Sequence, residues 1–198
     1  MIAEQLSAYA EGLKKSLDSV PVDKFEELVH LMESSTEEGR QVFVMGNGGS
    51  GSTASHMVCD LNKGVSFGLE KRLRVICLND NVATILAYAN DVSYDEVFVE
   101  QLKNFLRPGD VVIGISGSGN SLNVLKAIRY ANEAGGHTVG LTGFDGGKLA
   151  KEVKTSLWVN VHDMQKAEDV HLILFHVLMQ ILCERLHASV EPPRAARA

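Results

Sequence analysis

The chain has 198 residues, 45% hydrophobic and 22% charged, with a net charge of -6. That length suits one domain with a substantial core. The negative balance excludes nonspecific nucleic-acid binding, which needs clustered Lys and Arg to release counterions; the basic residues here are scattered, in runs no longer than pairs such as Lys71-Arg72. Cys59, Cys77 and Cys183 are widely spaced, form no CxxC pair and read as buried reduced thiols. Early acidic residues and the lack of an apolar h-region predict no signal peptide. No apolar stretch approaches a membrane span, so the sequence reads as a soluble, cytoplasmic chain with no nucleic-acid and no membrane partner.

In chain order, Ile2, Leu6, Tyr9, Leu13 and Leu17 recur every three or four residues and predict an amphipathic helix over 2–17. A second runs from about Val22 to Ser34, with Phe25, Leu28, Val29 and Met32 on one face. Both precede the first strand, so they cover the sheet or meet another subunit. Val42–Met45 is a short apolar strand that breaks into Gly46-Asn47-Gly48-Gly49-Ser50 and then a helix. Leu73–Leu78 is a second strand, with Asn79-Asp80 placed to cap a helix from Val82 to Ala89 that Asn90-Asp91 interrupts. Ser93 and Glu96 fit a capping box for the next helix, which ends near Arg107-Pro108-Gly109.

Asp110–Ile115, DVVIGI, has no polar alternation, as expected of a strand buried on both faces. It opens into Ser116-Gly117-Ser118-Gly119-Asn120-Ser121 and a helix from about Leu122 to Ala134. His137–Leu141 is a fourth strand and Ser156–Val159 a fifth, with a short helix between them. A long helix rich in Leu, Ile, Val and Met runs from about Met164 to Leu186, interrupted by Glu168, His171 and His176. The tail Val190–Ala198 holds two prolines and two arginines without periodicity and is expected to be disordered. Residues 1–188 thus form one domain, 1–37 being its leading helical pair, with 189–198 as the tail.

Strands alternating with helices predict an α/β fold, a parallel sheet of about five strands with helices on both faces. Ligands in such sheets bind at the carboxyl ends of the strands, where both Gly/Ser loops lie. In the first loop, glycines let backbone N–H groups approach an anion at a helix N-terminus. The second adds up to three hydroxyls, which suits a dianionic phosphate. Neither is GxGxxG and neither carries the lysine of a Walker loop, which disfavours dinucleotides and nucleoside triphosphates. His56 and Asp60, four residues apart, share a helix face and could hold a metal or move a proton.

GNGGS at Gly46–Ser50, ANDVSYDEVF at Ala89–Phe98, GDVVIGISGSGNS at Gly109–Ser121 and LTGFDGG at Leu141–Gly147 closely resemble the sugar isomerase (SIS) family. Within it the chain is most similar to the phosphoheptose isomerases, along nearly its whole length. The resemblance implies the three-layer SIS fold, a homo-tetramer with sites near subunit interfaces, and interconversion of sedoheptulose 7-phosphate and D-glycero-D-manno-heptose 7-phosphate. It implies that Ser50, Ser116, Ser118 and Ser121 bind the phosphate, that Asn47, Gly48, Gly49, Gly117 and Glu168 line the substrate, and that Asp91 lies near the sugar. It places His56, Asp60, Glu168 and His176 at the zinc positions, with Asp60 as proton-abstracting base and His176 as its acid partner.

The sequence departs from the family at Asp60 (usually glutamate), Glu168 (glutamine), Gly117 (threonine) and Gln165 (aspartate). These departures leave two alternatives: a non-catalytic sugar-phosphate-binding regulator of a protein partner, or an isomerase of another ketose phosphate. Two imidazoles and two carboxylates are a sensible zinc set. Glu168 and His176, however, are separated by roughly 12 Å along a straight helix, so sharing one ion needs reach, a later helix start or a second subunit. His171, roughly 140° around the helix from His176, is outside the metal set.

Overall fold

The structure, a computed structural model, describes residues 1–188. The expected disordered tail, Val190–Ala198, lies outside the described residues. Strands β1 (Gln41–Gly46), β2 (Arg74–Cys77), β3 (Val111–Ser116), β4 (His137–Thr142) and β5 (Thr155–Trp158) form one parallel sheet in the order β2-β1-β3-β4-β5. The helices are α1 (Ile2–Leu17), α2 (Val22–Glu38), α3 (Gly48–Cys59), α4 (Val82–Asp91), α5 (Val99–Phe105), α6 (Leu122–Glu133), α7 (Leu149–Glu152) and α8 (Met164–His187). All six residues of β3 are buried, the outcome expected of an unbroken apolar run at the centre of a parallel sheet.

The two faces of the sheet carry separate cores, as strand alternation requires. Val42, Val44, Ile113 and Ile115 meet α2, α3 and α8. Phe43, Met45 and Val112 meet α5 and α6. The chain reverses direction across the sheet between β1 and β3, which are adjacent, with Gly46 opposite Ile115. This switch point brings their two carboxyl-end loops together, which is where open α/β sheets bind ligands.

Several local expectations change. The α2 helix continues to Glu38 because Ser34, Ser35 and Thr36 turn their hydroxyls back to the Leu31 and Met32 carbonyls and so tolerate burial. Asn81, not Asn79-Asp80, caps α4, accepting from the Thr84 N–H at 3.1 Å. Asn79 instead ties the end of β1: the Gly46 N–H donates to its Oδ1 and its Nδ2 donates to the Gly46 carbonyl, at 3.2 and 2.7 Å. Asn90-Asp91 does not interrupt α4, which extends through Asp91. The Ser93/Glu96 capping box does not form either. Ser93 caps a single 3-10 turn at Asp95, while Glu96 pairs with Lys126 on α6.

Cys59 is exposed rather than buried; Cys77 is buried and Cys183 half-buried, all three as free thiols. Contrary to the sequence reading, α8, 24 residues long, is apolar enough to cross a membrane by length and composition alone. Here it is a core helix, burying Val170, Leu174, Phe175, Leu178 and Leu182 against the sheet, α2 and α3. The α1 helix docks on it through Tyr9, whose hydroxyl donates to Asp169 at 2.5 Å and whose ring lies under Lys166.

Candidate active site

The two strand-end loops open on one hollow of about 290 Å³, lined by Asn47, Gly48, Gly49, Ser50, Ser116, Gly117, Ser118 and Ser121 from the loops and by Met164 and Glu168 from α8. Both helices that start here lack a side-chain cap: Asn47 and Ser121 sit at the N-cap positions of α3 and α6 without bonding the first turn. The leading N–H groups, apart from that of Val124, which donates to the Asn123 Oδ1 at 2.9 Å, are thus left for a ligand, and two helix dipoles point into one space. Ser116 and Ser121 are 3.0 Å apart through their hydroxyls, held by a turn at Gly119, whose φ of 66° only glycine adopts at low cost. Among the described residues the lining holds no Lys or Arg, so hydroxyls and backbone N–H groups are its donors.

Asn47 is committed elsewhere. Its amide and that of Asn123 bond each other reciprocally, both at 2.9 Å, and the Tyr94 hydroxyl donates to the Asn47 Oδ1 at 2.9 Å. This clamp joins the β1 loop to the start of α6 and so sets the spacing of the two helix N-termini.

From the hollow, α3 and α8 run side by side in the same direction, in near-constant register. His56 meets His176 (sequence separation 120), the Gly64 carbonyl meets Cys183 (119), and the Val65 carbonyl meets His187 (122). Glu168 presses on the first turn of α3: a Cβ on Gly49 would lie 2.5 Å from its carboxylate. Two turns further, His56, Asp60 and His176 converge. The His56 Nε2 lies 3.3 Å from the Asp60 Oδ2 and 3.2 Å from the His176 Nε2, and the last two are 3.9 Å apart. A tetrahedral zinc with bonds of 2.0–2.1 Å sets its donors about 3.3 Å apart, so the three atoms suit one face of such an ion. Three lone-pair donors facing one another also need a proton or a cation between them. The side chains are partly open, 49, 28 and 45% exposed for His56, Asp60 and His176, leaving access on the fourth side. At Asp60 the helix passes into a π-helical turn, Asp60–Val65, a distortion that often marks functional positions.

Residues 8–143 match the SIS domain. A phosphoheptose isomerase of Geotalea daltonii is 35% identical over 187 residues, covering 92% of this chain and 96% of its own. One of Helicobacter pylori strain P12 is 37% identical over 179 residues, covering 90 and 92%. The solved phosphoheptose isomerase of Neisseria gonorrhoeae superposes with a TM-score of 0.83 at 29% identity, over 92% of this chain and 98% of that one. The chain belongs to the phosphoheptose isomerase family of SIS-domain proteins.

Of the four residues that the resemblance implies as zinc ligands, His56, Asp60 and His176 meet within this chain and Glu168 does not join them. The reason is the unbroken α8: two helical turns keep Glu168 at the hollow and His176 beside His56 and Asp60. Asp91 is not brought to the hollow. It is exposed at the end of α4, accepts from Asn90 at 2.7 Å and lines a separate surface depression with Tyr88 and Val92. His171 stands apart from the trio, as expected, and is fully buried. Neither of its ring nitrogens finds a hydrogen-bond partner among the described residues. Burial pushes its pKa down to about 4, against a weaker opposing pull from the Thr142 backbone.

The sequence reading missed Asn123, Tyr94 and Met164. The first two carry only the signal of polar groups just beyond a ligand loop; Met164 carries the signal of opening a helix at the sheet's ligand edge. A larger hollow, about 650 Å³, opens between α2 and the end of α8, lined by residues such as Glu33, Thr36, Leu69 and Arg185. None of the family motifs reaches it.

Proposed function

We propose that the chain interconverts sedoheptulose 7-phosphate and D-glycero-D-manno-heptose 7-phosphate, moving a proton between the first two carbons of the sugar. The observation that carries this reading is the convergence of His56, Asp60 and His176 two turns along α8 from the anion hollow. The serine loop holds the phosphate and supplies binding energy away from the reacting carbons. Asp60 takes the proton and His176 serves as the acid partner. His56, Asp60 and His176 would hold a zinc ion, which when bound would supply positive charge for the developing oxyanion. Glu168, between the two stations, accepts hydrogen bonds from sugar hydroxyls.

The assembly is a cytoplasmic homo-tetramer with sites near subunit interfaces. Two surfaces support association. The α4 helix has none of its residues buried by the described chain, and α1 leaves Ile2 and Leu6 77 and 67% exposed. Incubating metal-replete protein with sedoheptulose 7-phosphate and analysing the product tests the reading. The expected result is an aldoheptose 7-phosphate. Phosphate binding with no turnover would favour the regulatory alternative instead.

A further inference from the structure

Gly117 has no backbone reason to be glycine. Its φ lies outside the left-handed region, whereas that of Gly119 lies inside it. What the missing side chain provides is room, and Met164 occupies it: a Cβ on Gly117 would stand 2.5 Å from the Met164 Sδ and 3.4 Å from its Cε. The backbones of both partners are held, while the Met164 side chain is itself 37% exposed. Asp163 caps α8 by accepting from the Lys166 N–H at 3.2 Å, and the Gly143 N–H donates to the Gly117 carbonyl at 2.8 Å. Ala167 packs on Gly143 itself, so the first turn of α8 cannot slide away from these loops. The thioether therefore forms one wall of the anion hollow, beside Ser116, Ser118 and Ser121.

We propose that Met164, seated over Gly117, is a specificity-determining residue that makes the cradle select a phosphomonoester over inorganic phosphate. This rests on the reading of the Ser116–Ser121 loop as the phosphate cradle. The charged oxygens of a bound phosphate turn to hydroxyls and helix N–H groups. An oxygen left against a thioether loses its hydration and gains no donor. The ester oxygen tolerates that wall, because the carbon attached to it gains apolar contact with the Sδ and Cε atoms. Inorganic phosphate would place there a hydroxyl that needs hydrogen bonds of its own. Met164 and Glu168, four residues apart, share a face of α8, so the same wall directs the sugar chain along that helix.

The test combines isomerase kinetics with calorimetric titration of sedoheptulose 7-phosphate and of inorganic phosphate. It uses the native protein, Met164→Ala, Met164→Gln, Gly117→Ala and the Gly117→Ala/Met164→Ala double variant. Met164→Ala should raise KM about tenfold, the low end for one apolar pocket contact. Its kcat should stay within roughly twofold of native, the pattern of lost uniform binding, and its affinity for inorganic phosphate should rise, because the wall that strips an oxygen of its hydration is gone. Met164→Gln, close in shape but bearing an amide donor, should tighten inorganic phosphate relative to the sugar phosphate. Gly117→Ala should raise KM in the native background, because its methyl expels the thioether, and should add nothing to Met164→Ala. Equal weakening of both ligands by Met164→Ala would overturn the selectivity claim. Additive effects of the two substitutions would overturn the pairing. Failure of the native protein to bind either sedoheptulose 7-phosphate or inorganic phosphate would instead sink the cradle reading.

Discussion

The Asp60 Oδ2 lies 3.3 Å from the His56 Nε2, one helical turn away on the same face of α3. An aspartate where the family usually carries glutamate therefore still reaches its histidine partners; the His176 Nε2 is 3.9 Å from the same oxygen. Asp60→Glu should crowd the trio and lower turnover, about tenfold or more for a displacement near 1 Å. Asp60→Asn should abolish isomerisation with phosphate affinity intact, since the serine loop is a separate element. A discontinuous isomerase assay with calorimetry on both variants decides this. Full activity in Asp60→Asn would show that the base lies elsewhere.

The Asn47–Asn123 amide pair predicts a loss of binding from a residue that lines no part of the hollow. Asn123 is buried, and Asn123→Ala leaves the Asn47 Nδ2 without its acceptor and the Asn47 Oδ1 with only the Tyr94 hydroxyl. Stability should fall by about 1–3 kcal/mol, as expected for buried polar groups left unsatisfied. KM should rise with it, as the two helix termini lose their fixed spacing. Tyr94→Phe removes one bond to a half-open amide and should cost less on both counts. Urea unfolding and steady-state kinetics read the two effects separately. Unchanged KM in a destabilised Asn123→Ala protein would restrict the clamp to a structural role.

Assembly is tested at α4. Val82 and Leu86 are 60 and 62% exposed on a mostly apolar helix. Leu86→Asp should split the assembly into smaller species in light scattering at micromolar concentration. A monomeric native protein would contradict the interface.

The strands were legible because buried parallel strands are unbroken apolar runs, as in VVIGIS of β3. The serine loop was legible because its hydroxyls follow such a run directly. The separation of Glu168 from His176 followed from helical rise alone, and the unbroken α8 bears it out. Contacts between distant elements left no periodic trace. Asn79 looked like a helix cap, and its bonds to Gly46 depend on the adjacency of β1 and β2. Met164 read only as the start of the long helix, and its place over Gly117 depends on where α8 packs against the β3 loop. The end of α2 was misjudged because serine and threonine favour turns unless their hydroxyls bond back to the helix, as these do.

His171 sets the last expectation, for acid stability. Its folded pKa is held near 4 by burial, below the usual histidine value of about 6.5. Between these values the unfolded chain binds a proton that the folded chain does not. Stability from this site is therefore fully present above about pH 6.5 and falls as the pH drops toward 4, by roughly 3 kcal/mol across the window. His171→Leu fills similar space without two buried nitrogens that lack partners. It should leave stability at pH 7 equal or higher and flatten the decline between pH 6.5 and 4.5. Urea titrations of both proteins at pH 7.0, 5.5 and 4.5 measure this difference. Parallel declines in the two proteins would assign the acid sensitivity to other groups.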